Sequence, residues 1–212
     1  KKFGSKMLSV YKEQLDKYGY SPKTLGCGKG RQDIRFQSLS RYVKEKSSVL
    51  DYGCGFADLA SFFNNSNIEI DYHGCDVMEK FLSIAKEKHP SRNFFKVDIG
   101  EKLTKEYDYI IASGVFNFLY SSDIETHEKS VYETLRILHS ACRKTLSIDF
   151  QSPYVDFIAE DAYHQDTQKL SNFVRNNLSR RFEVDHSYMP YEFCIHIHKK
   201  DEIKRPGNVF KY

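Results

Sequence analysis

Tryptophan is absent from the 212 residues, and proline occurs only 5 times. Phenylalanine and tyrosine supply the large side chains instead, with 16 and 15 copies, and apolar residues reach 40% of the chain. A chain of this length and composition can bury the core of one α/β domain and is short for two. We therefore expect residues 1–212 to form a single domain.

Paired cysteines are missing as well. The chain has 5 cysteines, an odd number, and no two of them form the C-x-x-C pair that is typical of zinc sites. Disulfide frameworks belong mainly to secreted proteins in oxidising compartments. The sequence therefore predicts neither a disulfide framework nor a structural zinc, and it favours a reducing compartment.

Long apolar runs and an excess of one charge are also lacking. No run approaches the roughly 20 residues that span a bilayer, and the chain does not open on the apolar core of a signal peptide. The net charge is only +3, from 32 basic and 29 acidic residues, so no basic surface for nucleic acid is indicated. We expect a cytoplasmic protein that binds neither membranes nor nucleic acid.

The most informative stretch is a glycine-containing turn near residue 54. A short apolar run, Ser48 to Tyr52, ends abruptly in Gly53-Cys54-Gly55. An amphipathic helical pattern follows at once, carried by Leu59, Ala60, Phe62 and Phe63. Glycines at such a strand-to-helix turn let a ligand approach the backbone closely, and the free N–H groups of the helix start favour a polar or anionic ligand group.

The residues around these glycines separate two ligand classes. Dinucleotide-binding turns read G-x-G-x-x-G, and the third glycine allows the helix to pack closely on the strand. Asp58 holds that third position here, and its charge would oppose a pyrophosphate. Asp51, two residues before Gly53, instead suits a ligand that carries a positive charge. The turn therefore favours such a ligand over NAD.

The string from Val49 to Ala57 resembles motif I of the class I S-adenosylmethionine (SAM)-dependent methyltransferases, hydrophobic-hydrophobic-Asp-x-Gly-x-Gly-x-Gly. Only the third glycine departs, as Ala57. The resemblance implies SAM as cofactor and a doubly wound Rossmann-like α/β fold. Its seven-stranded sheet would be mostly parallel, with helices on both faces, a C-terminal antiparallel hairpin and a SAM-binding core over residues 46–200. The motif I residues assigned to the cofactor are Asp51, Gly53, Cys54, Gly55 and Phe56.

A second acidic residue supports a nucleoside ligand. Ile68 to Cys75 reads as the second strand, and Asp76 follows it, about twenty residues beyond the glycine turn, where Rossmann folds place a ribose-binding acid. Its carboxylate can accept two hydrogen bonds from ribose hydroxyls. The alternative is a helix-capping Asp, since a helix with Met78 begins directly afterwards. The neighbouring Val77 is included with the predicted cofactor site.

The next two strands carry the remaining predicted cofactor residues. After the third strand, Asn93 to Val97, the resemblance assigns Asp98 to the adenine amino group and Ile99 to the adenine ring, with a loop-capping Asp as the alternative. The fourth strand, Tyr107 to Ala112, ends in a turn that resembles motif IV of small-molecule methyltransferases. In that turn, Ser113 and Gly114 are assigned to the cofactor and Asn117 to the substrate. The turn offers no carboxylate for magnesium.

Two helices are predicted ahead of the first core strand, from about Ser5 to Tyr18 and from about Gln32. Residues 1–45 are expected to form a helical cap over the cofactor site. The string from Leu25 to Phe36 resembles a Gly-rich, Gln-x-x-Arg-Phe segment that precedes motif I in some small-molecule methyltransferases. Gln32 and Arg35 are therefore candidates for contacting ligand polar groups or a carboxylate. A helix start with a solvated arginine is the alternative.

The C-terminal half continues the pattern of strands and helices. Ser122 to Glu125 reads as a capping box that opens a helix, and the fifth strand runs from Thr145 to Phe150. Two strands, Phe182 to Tyr188 and Tyr191 to Lys199, read as the closing hairpin. The tail, residues 201–212, is assigned no function.

Two histidines, His196 and His198, share one face of the last predicted strand. They could begin a metal site, but no third ligand is evident in the sequence. We therefore expect a solvated strand face, no metal site and metal-independent activity.

The resemblance implies in-line transfer of the SAM methyl group to the oxygen or nitrogen of a small molecule. The segment and turn look like those of enzymes that methylate small metabolites, such as precursors of surface glycans or secondary metabolites. The aromatic segment, residues 151–164, is expected to hold this acceptor, because open α/β folds bind ligands at that sheet edge. Candidate bases or positioning groups are Asp149, Tyr154, His164, Tyr191 and Glu192. Candidate substrate contacts are Asn117, Tyr154 and Tyr163.

Two other functions stay open on the sequence alone. An NAD(P)-dependent oxidoreductase would need a Tyr-x-x-x-Lys pair well after the glycine turn, but that spacing occurs at Tyr42 and Lys46, ahead of the first core strand. A catalytically silent methyltransferase-like domain that binds a partner is the other alternative. Intact Gly53, Gly55 and Asp76 argue against it. The oligomeric state is not indicated.

Overall fold

A computed structural model describes residues 5–25, 31–119, 121 and 123–199. Its strands form a seven-stranded sheet, and the loops of the candidate site follow the carboxyl ends of the parallel strands. Gly26, Cys27, Gly28, Gly30 and the tail from 201 to 212 lie outside these residues. The helices are α1 (Ser5–Tyr18), α2 (Arg31–Leu39), α3 (Asp58–Asn65), α4 (Glu79–Lys88), α5 (Ile124–Ala141) and α6 (Thr167–Asn177), with a 3-10 turn at Pro22–Leu25. The strands are β1 (Ser48–Tyr52), β2 (Asp71–Asp76), β3 (Asn93–Lys96), β4 (Tyr107–Ala112), β5 (Cys142–Gln151), β6 (Phe182–Asp185) and β7 (Glu192–His198).

The sheet has the strand order β3-β2-β1-β4-β5-β7-β6. Strands β1 to β5 pair in parallel, and β7 lies antiparallel between β5 and β6. The expected fold class is confirmed, including the closing hairpin. Strand order reverses between β1 and β4, and open α/β sheets bind their ligands at the carboxyl ends of the strands beside such a point.

Alternate residues of the central strands build two apolar layers, one on each face of the sheet. Val49 and Ile111 face α2 and α3, where Phe63 is fully buried. Leu50 and Ile110 face the other layer, which contains α5 and α6. Because parallel strands buried on both faces need apolar residues at consecutive positions, β1 and β4 are mostly apolar. In the described part of the chain, no helix is both long and apolar enough to cross a membrane.

Several predicted boundaries are wrong for identifiable reasons. β2 begins at Asp71, because the Ile68 N–H closes the end of α3 through a 3.0 Å bond to the Phe63 carbonyl oxygen. The predicted capping box, Ser122 to Glu125, begins one residue before the observed N-cap of α5. The N-cap of α5 is Asp123, whose carboxylate accepts the Thr126 N–H at 2.9 Å, and Ser122 lies outside the described residues.

The predicted solvated face of the last strand is also wrong. His196 is fully buried, and its Nδ1 lies 2.8 Å from the Ser147 hydroxyl. His198 contacts the Thr145 hydroxyl at 3.0 Å, and the Tyr42 ring packs on both imidazoles. Burial lowers the pKa of His196 to about 4. Among the described residues, no group of three or more His, Cys, Asp or Glu side chains is placed to hold a metal ion.

Two glycines with similar backbone angles allow the packing of the glycine turn to be tested. Gly53 has φ +74°, and a Cβ there would lie 2.5 Å from a Val115 methyl carbon, whereas Gly100 has φ +80° with open space around it. Gly53→Ala should lower the free energy of unfolding by about 1–2 kcal/mol for the left-handed backbone, plus about 1–3 kcal/mol for overpacking. Gly100→Ala should show only the first loss in urea denaturation. Equal losses of unfolding free energy in the two variants would mean that the Val115 side chain moves away from the new Cβ without an energetic penalty.

Candidate functional site

A cavity of about 370 Å³ lies at the carboxyl ends of β1, β2 and β4, and is called the first cavity. Its volume suits a small ligand or cofactor. Most of the predicted cofactor residues line it: Gln32, Arg35, Asp51, Gly53, Cys54, Gly55, Asp76, Val77, Ile99, Ser113 and Gly114. The predicted substrate residue Asn117 lines it too. Motif spacing therefore located this cavity from the sequence.

The turn after β1 owes its shape to three residues of positive φ at alternate positions. Gly53, Gly55 and Ala57 have φ angles of +74°, +53° and +57°. Ala57 occupies the position where motif I carries its third glycine, and an L residue there costs about 1–2 kcal/mol. The departure from the motif therefore keeps the backbone conformation that glycine would adopt.

Asp76 holds this turn from the end of β2. Its buried carboxylate accepts the Gly55 N–H at 3.0 Å and the Met78 N–H at 2.8 Å. Burial raises the pKa of Asp76, and these backbone N–H groups oppose the increase. A carboxylate has about four acceptor positions, so this one keeps room for a ligand hydroxyl. Asp76 thus supports the start of α4, as the capping alternative predicted, and it also lines the first cavity, while its contact with a ribose stays a prediction.

Asp51 brings a second carboxylate to the first cavity. It accepts the Tyr72 hydroxyl proton at 2.6 Å, and burial raises its pKa to about 7 while that hydrogen bond opposes the increase. A cationic ligand group would stabilise the ionised form. Tyr72 pairs in register with Val49, so it shares a sheet face with Asp51 two residues further on. The sequence did not indicate Tyr72, because its hydrogen bond to Asp51 can be inferred only when the register of β1 and β2 is known.

Arg35 forms a buried ion cluster with two acids that were predicted as candidate bases. Its Nε donates to Glu192 Oε1 at 2.9 Å, and a second guanidinium nitrogen donates to Oε2. Asp149 Oδ2 lies 3.4 Å from the same Nε, and Asp149 Oδ1 accepts the Gly114 N–H at 2.6 Å. Burial raises the pKa of Asp149, and the Arg35 charge opposes the increase. The alternative of a solvated arginine is wrong, since the side chain is only 12% exposed.

Helix α1 supplies a wall that the sequence did not assign residue by residue. Met7, Val10, Tyr11 and Gln14 line the first cavity, and the Tyr11 ring packs edge-on against Phe81, with ring centroids 5.9 Å apart. These positions follow the helical spacing of an amphipathic face. That periodicity predicted the helix, and the expected cap over the cofactor site did not specify which of its residues line the cavity.

Asp58, the residue that replaces the dinucleotide glycine, has a structural role. Its carboxylate accepts the Lys88 ammonium at 2.6 Å and the Tyr20 hydroxyl at 3.0 Å. Lys88 also donates to the Phe56 carbonyl oxygen at 3.0 Å. Asp58 therefore connects the N-terminal segment to the glycine turn and α4. No motif pointed to Tyr20 or Lys88.

A second cavity of about 340 Å³ adjoins the first, and the two share Gln32, Arg35 and Gln151. Three of the candidate catalytic residues line it: His164, Tyr191 and Glu192. Gln151, which no motif identified, lies at the end of β5, and its N–H donates to the Asn117 side chain at 3.0 Å. Asn117 therefore fixes the backbone of Gln151 where the two cavities meet. The boundary formed by Gln32, Arg35 and Gln151 is called the passage.

Five predicted site residues line neither cavity: Asp149, which belongs to the ion cluster with Arg35, and Phe56, Asp98, Tyr154 and Tyr163. Phe56 is buried beneath the turn and packs on Phe81, and the Tyr163 hydroxyl bonds to Gln165 at 3.0 Å. Tyr154 is 69% exposed, and Asp98 is exposed beside Val97 and Ile99, which do line the first cavity. The ligand contacts assigned to these residues stay predictions.

Comparisons with known proteins agree with this geometry. Residues 50–144 match the family model of a methyltransferase domain. A Mycobacterium tuberculosis protein, provisionally named a methyltransferase, is 27% identical over 154 residues, which cover 72% of this chain and 93% of that protein. The chain therefore carries a methyltransferase domain and has the fold of the class I SAM-dependent methyltransferases. The matches do not support the nicotinamide oxidoreductase alternative.

Solved methyltransferases share the fold at low sequence identity. Magnesium protoporphyrin IX methyltransferase of Synechocystis, whose structure contains SAM, aligns with a TM-score of 0.61 and 16% identity over 93% of each chain. The CcbJ methyltransferase of Streptomyces caelestis aligns with a TM-score of 0.66 and 12% identity, over 90% of this chain and 98% of that one. These likenesses show that the whole α/β architecture is that of the methyltransferases.

Substitution of Asp76, the predicted ribose-binding acid, tests the first cavity. Asp76→Ala should weaken the binding of SAM to this methyltransferase about ten- to a hundredfold, because a hydrogen bond to a charged group contributes roughly 1.5–3 kcal/mol. Isothermal titration calorimetry gives the dissociation constants. Asp71→Ala, at the opposite end of the same strand, is the matched control and should bind SAM like the unsubstituted protein. An unchanged dissociation constant for a folded Asp76→Ala variant would show that Asp76 only supports the turn.

Proposed function

We propose that this methyltransferase transfers the methyl group of SAM to an oxygen or nitrogen of a small molecule held in the second cavity. The observation that carries the proposal is that the two cavities adjoin and share Gln32, Arg35 and Gln151. The second cavity has the volume of a small-molecule site. An acceptor bound there would lie next to a cofactor bound in the first cavity.

The residues of the first cavity suit each part of SAM. Asp76 keeps room for a ribose hydroxyl, and the buried Asp51 favours a positive group. Val97 and Ile99 offer apolar contacts for a base. Residues 1–45 act as a cap in this proposal, because α1 and α2 close one side of the first cavity.

The chemistry requires little beyond alignment, because the methyl group of SAM is already electrophilic. Holding donor and acceptor at the correct distance and orientation can supply most of the rate acceleration. The described residues around the passage are tightly bonded to one another, with Asn117 joined to Gln151 and to Asp149. A fixed passage of this kind aligns the two reactants and excludes water.

The charges of the second cavity favour a small acceptor over nucleic acid. Arg31 and Arg35 line it together with Asp156 and Glu192, so no positive stripe is formed. Affinity for nucleic acid depends mainly on cationic contacts to phosphates. The protein as a whole carries a charge of only +3.

Metal-independent transfer is part of the proposal. The turn Ser113–Asn117 contains no carboxylate. The neighbouring Asp149 carboxylate already accepts the Gly114 N–H and faces the Arg35 guanidinium. A hard cation such as magnesium would have to compete with these groups for its oxygen ligands.

A labelled methyl group tests both parts of the proposal. The protein is incubated with SAM tritiated on the methyl group and with separate panels of phenols, primary amines, carboxylic acids, DNA and RNA. Label should enter small molecules only, and the rate should be unchanged by EDTA, because no step depends on a bound cation. Heat-denatured protein is the control. Label in nucleic acid, or loss of transfer in EDTA that magnesium restores, would contradict the proposal.

A further inference from the structure

We infer that His164 is the general base of the second cavity and that the acceptor is a small aromatic compound with a hydroxyl group. This inference rests on the proposed function, since it names the acceptor class and the base of the same site. Three observations support it: the hydrogen bonding of the imidazole, the position of His164 beside the passage and the apolar side chains that line the second cavity.

The tautomer of His164 is set by its backbone partner. The His164 Nδ1 lies 2.7 Å from the Ser152 carbonyl oxygen. A carbonyl oxygen can only accept, so Nδ1 carries the hydrogen and Nε2 presents its lone pair. None of the described residues forms a hydrogen bond with Nε2. His164 therefore offers an unoccupied basic nitrogen in a residue that lines the second cavity.

The backbone around His164 is fixed to the passage between the cavities. His164 forms a parallel bridge with Gln151, and the Gln165 N–H donates to the Gln151 carbonyl oxygen at 3.0 Å. On the other side, the Tyr163 N–H donates to the Asn117 carbonyl oxygen at 2.9 Å. The imidazole is thus placed next to the residues through which an acceptor would face the cofactor.

The other candidate groups are occupied or badly placed. Asp149 and Glu192 bond to Arg35, and Tyr154 lines neither cavity. The Tyr191 hydroxyl faces the Asp156 carboxylate at 3.5 Å. Asp156 lines the second cavity as well, but an aspartate carboxylate is in general a much weaker base than an imidazole. His164 is the candidate that lines the second cavity and has a ring nitrogen to which no described residue is hydrogen-bonded.

The acceptor class follows from the apolar side chains that line the same cavity as these polar groups. Val155, Phe157 and Tyr191 give the second cavity an apolar, partly aromatic side, and Phe157 is 79% exposed. Aromatic side chains pack favourably against a flat ring. A hydroxyl group, unlike a neutral amine, must lose its proton as it attacks, so a base is most useful for a hydroxyl acceptor. A phenol meets both conditions.

The step balances without a further reactant. The phenol oxygen forms a bond to the methyl carbon of SAM as the carbon–sulfur bond breaks, and that electron pair stays on sulfur to give S-adenosylhomocysteine. The phenol proton moves to His164 Nε2. The imidazolium then releases this proton to water, which restores the base.

Two phenols of different acidity test the base directly. 4-Nitrophenol ionises near neutral pH, whereas 4-methylphenol resembles tyrosine, with a pKa of about 10. At pH 8, His164→Gln should lower kcat/KM for 4-methylphenol by about 10²- to 10⁴-fold, the usual contribution of a general base. The value for 4-nitrophenol should change little, and the dissociation constant for SAM should be unchanged.

His186→Gln is the matched control, because the His186 Nε2 lies 2.7 Å from the hydroxyl of the same Ser152 and His186 does not line the second cavity. It should methylate both phenols normally. Equal losses for the two phenols in His164→Gln would overturn the base assignment. Methylation of amines but of neither phenol would overturn the acceptor class and leave the proposed function standing.

A spectroscopic measurement tests the geometry without turnover. Long-range proton–nitrogen spectra of protein labelled with ¹⁵N-histidine distinguish the two neutral tautomers. The signal lost in His164→Gln should belong to the Nδ1-protonated form. An Nε2-protonated tautomer would overturn the inference, because the lone pair would then face the Ser152 carbonyl.

Discussion

The site depends on three carboxylates that are buried at one edge of the sheet. Asp51, Asp76 and Asp149 lie at or near the carboxyl ends of β1, β2 and β5, and burial raises the pKa of each. Buried charges are tolerated only when they are hydrogen-bonded or paired. Each acid is therefore supplied with its own donor, which is a tyrosine hydroxyl, a pair of backbone N–H groups or an arginine. These donors fix the turns that shape both cavities.

The N-terminal helices are joined to the core by the same electrostatics. Arg35 on α2 is the cation that faces Asp149 and Glu192, so the helix is held over the carboxyl end of β5 and the amino end of the antiparallel β7. Breaking one partner of a buried pair leaves an uncompensated charge, which is strongly destabilising. The wall shared by the two cavities is consequently built by ion pairing rather than by apolar packing alone. This arrangement lets one residue border both the donor and the acceptor.

The first cavity could be predicted because its signals are local. A strand, a glycine turn and a helix are adjacent in sequence, and Asp76 follows at a spacing that one crossover helix requires. The structure places Asp51, Gly53 and Asp76 together as the motif implied. Even the Ala57 departure is understood locally, since its positive φ is the reason for a glycine in the motif.

Features that depend on distant parts of the chain could not be predicted. His196 was expected in solvent, but Tyr42 and the Ser147 hydroxyl, far away in sequence, cover and bind it. The Arg35–Glu192 pair joins residues from opposite ends of the described chain. The second cavity is bounded by a segment without helical or strand periodicity, so no pattern indicated its shape. Its candidate residues were named from their sheet edge, and only the structure showed that His164 lies beside Gln151.

The central claim is that a donor and an acceptor occupy adjoining cavities that meet at Gln151. A crystal structure of the protein with S-adenosylhomocysteine tests this claim most directly. The account predicts adenosine in the first cavity, ribose hydroxyls on Asp76 and the sulfur atom directed toward Gln151 and the second cavity. A sulfur atom directed toward α1, or adenosine bound in the second cavity, would contradict it.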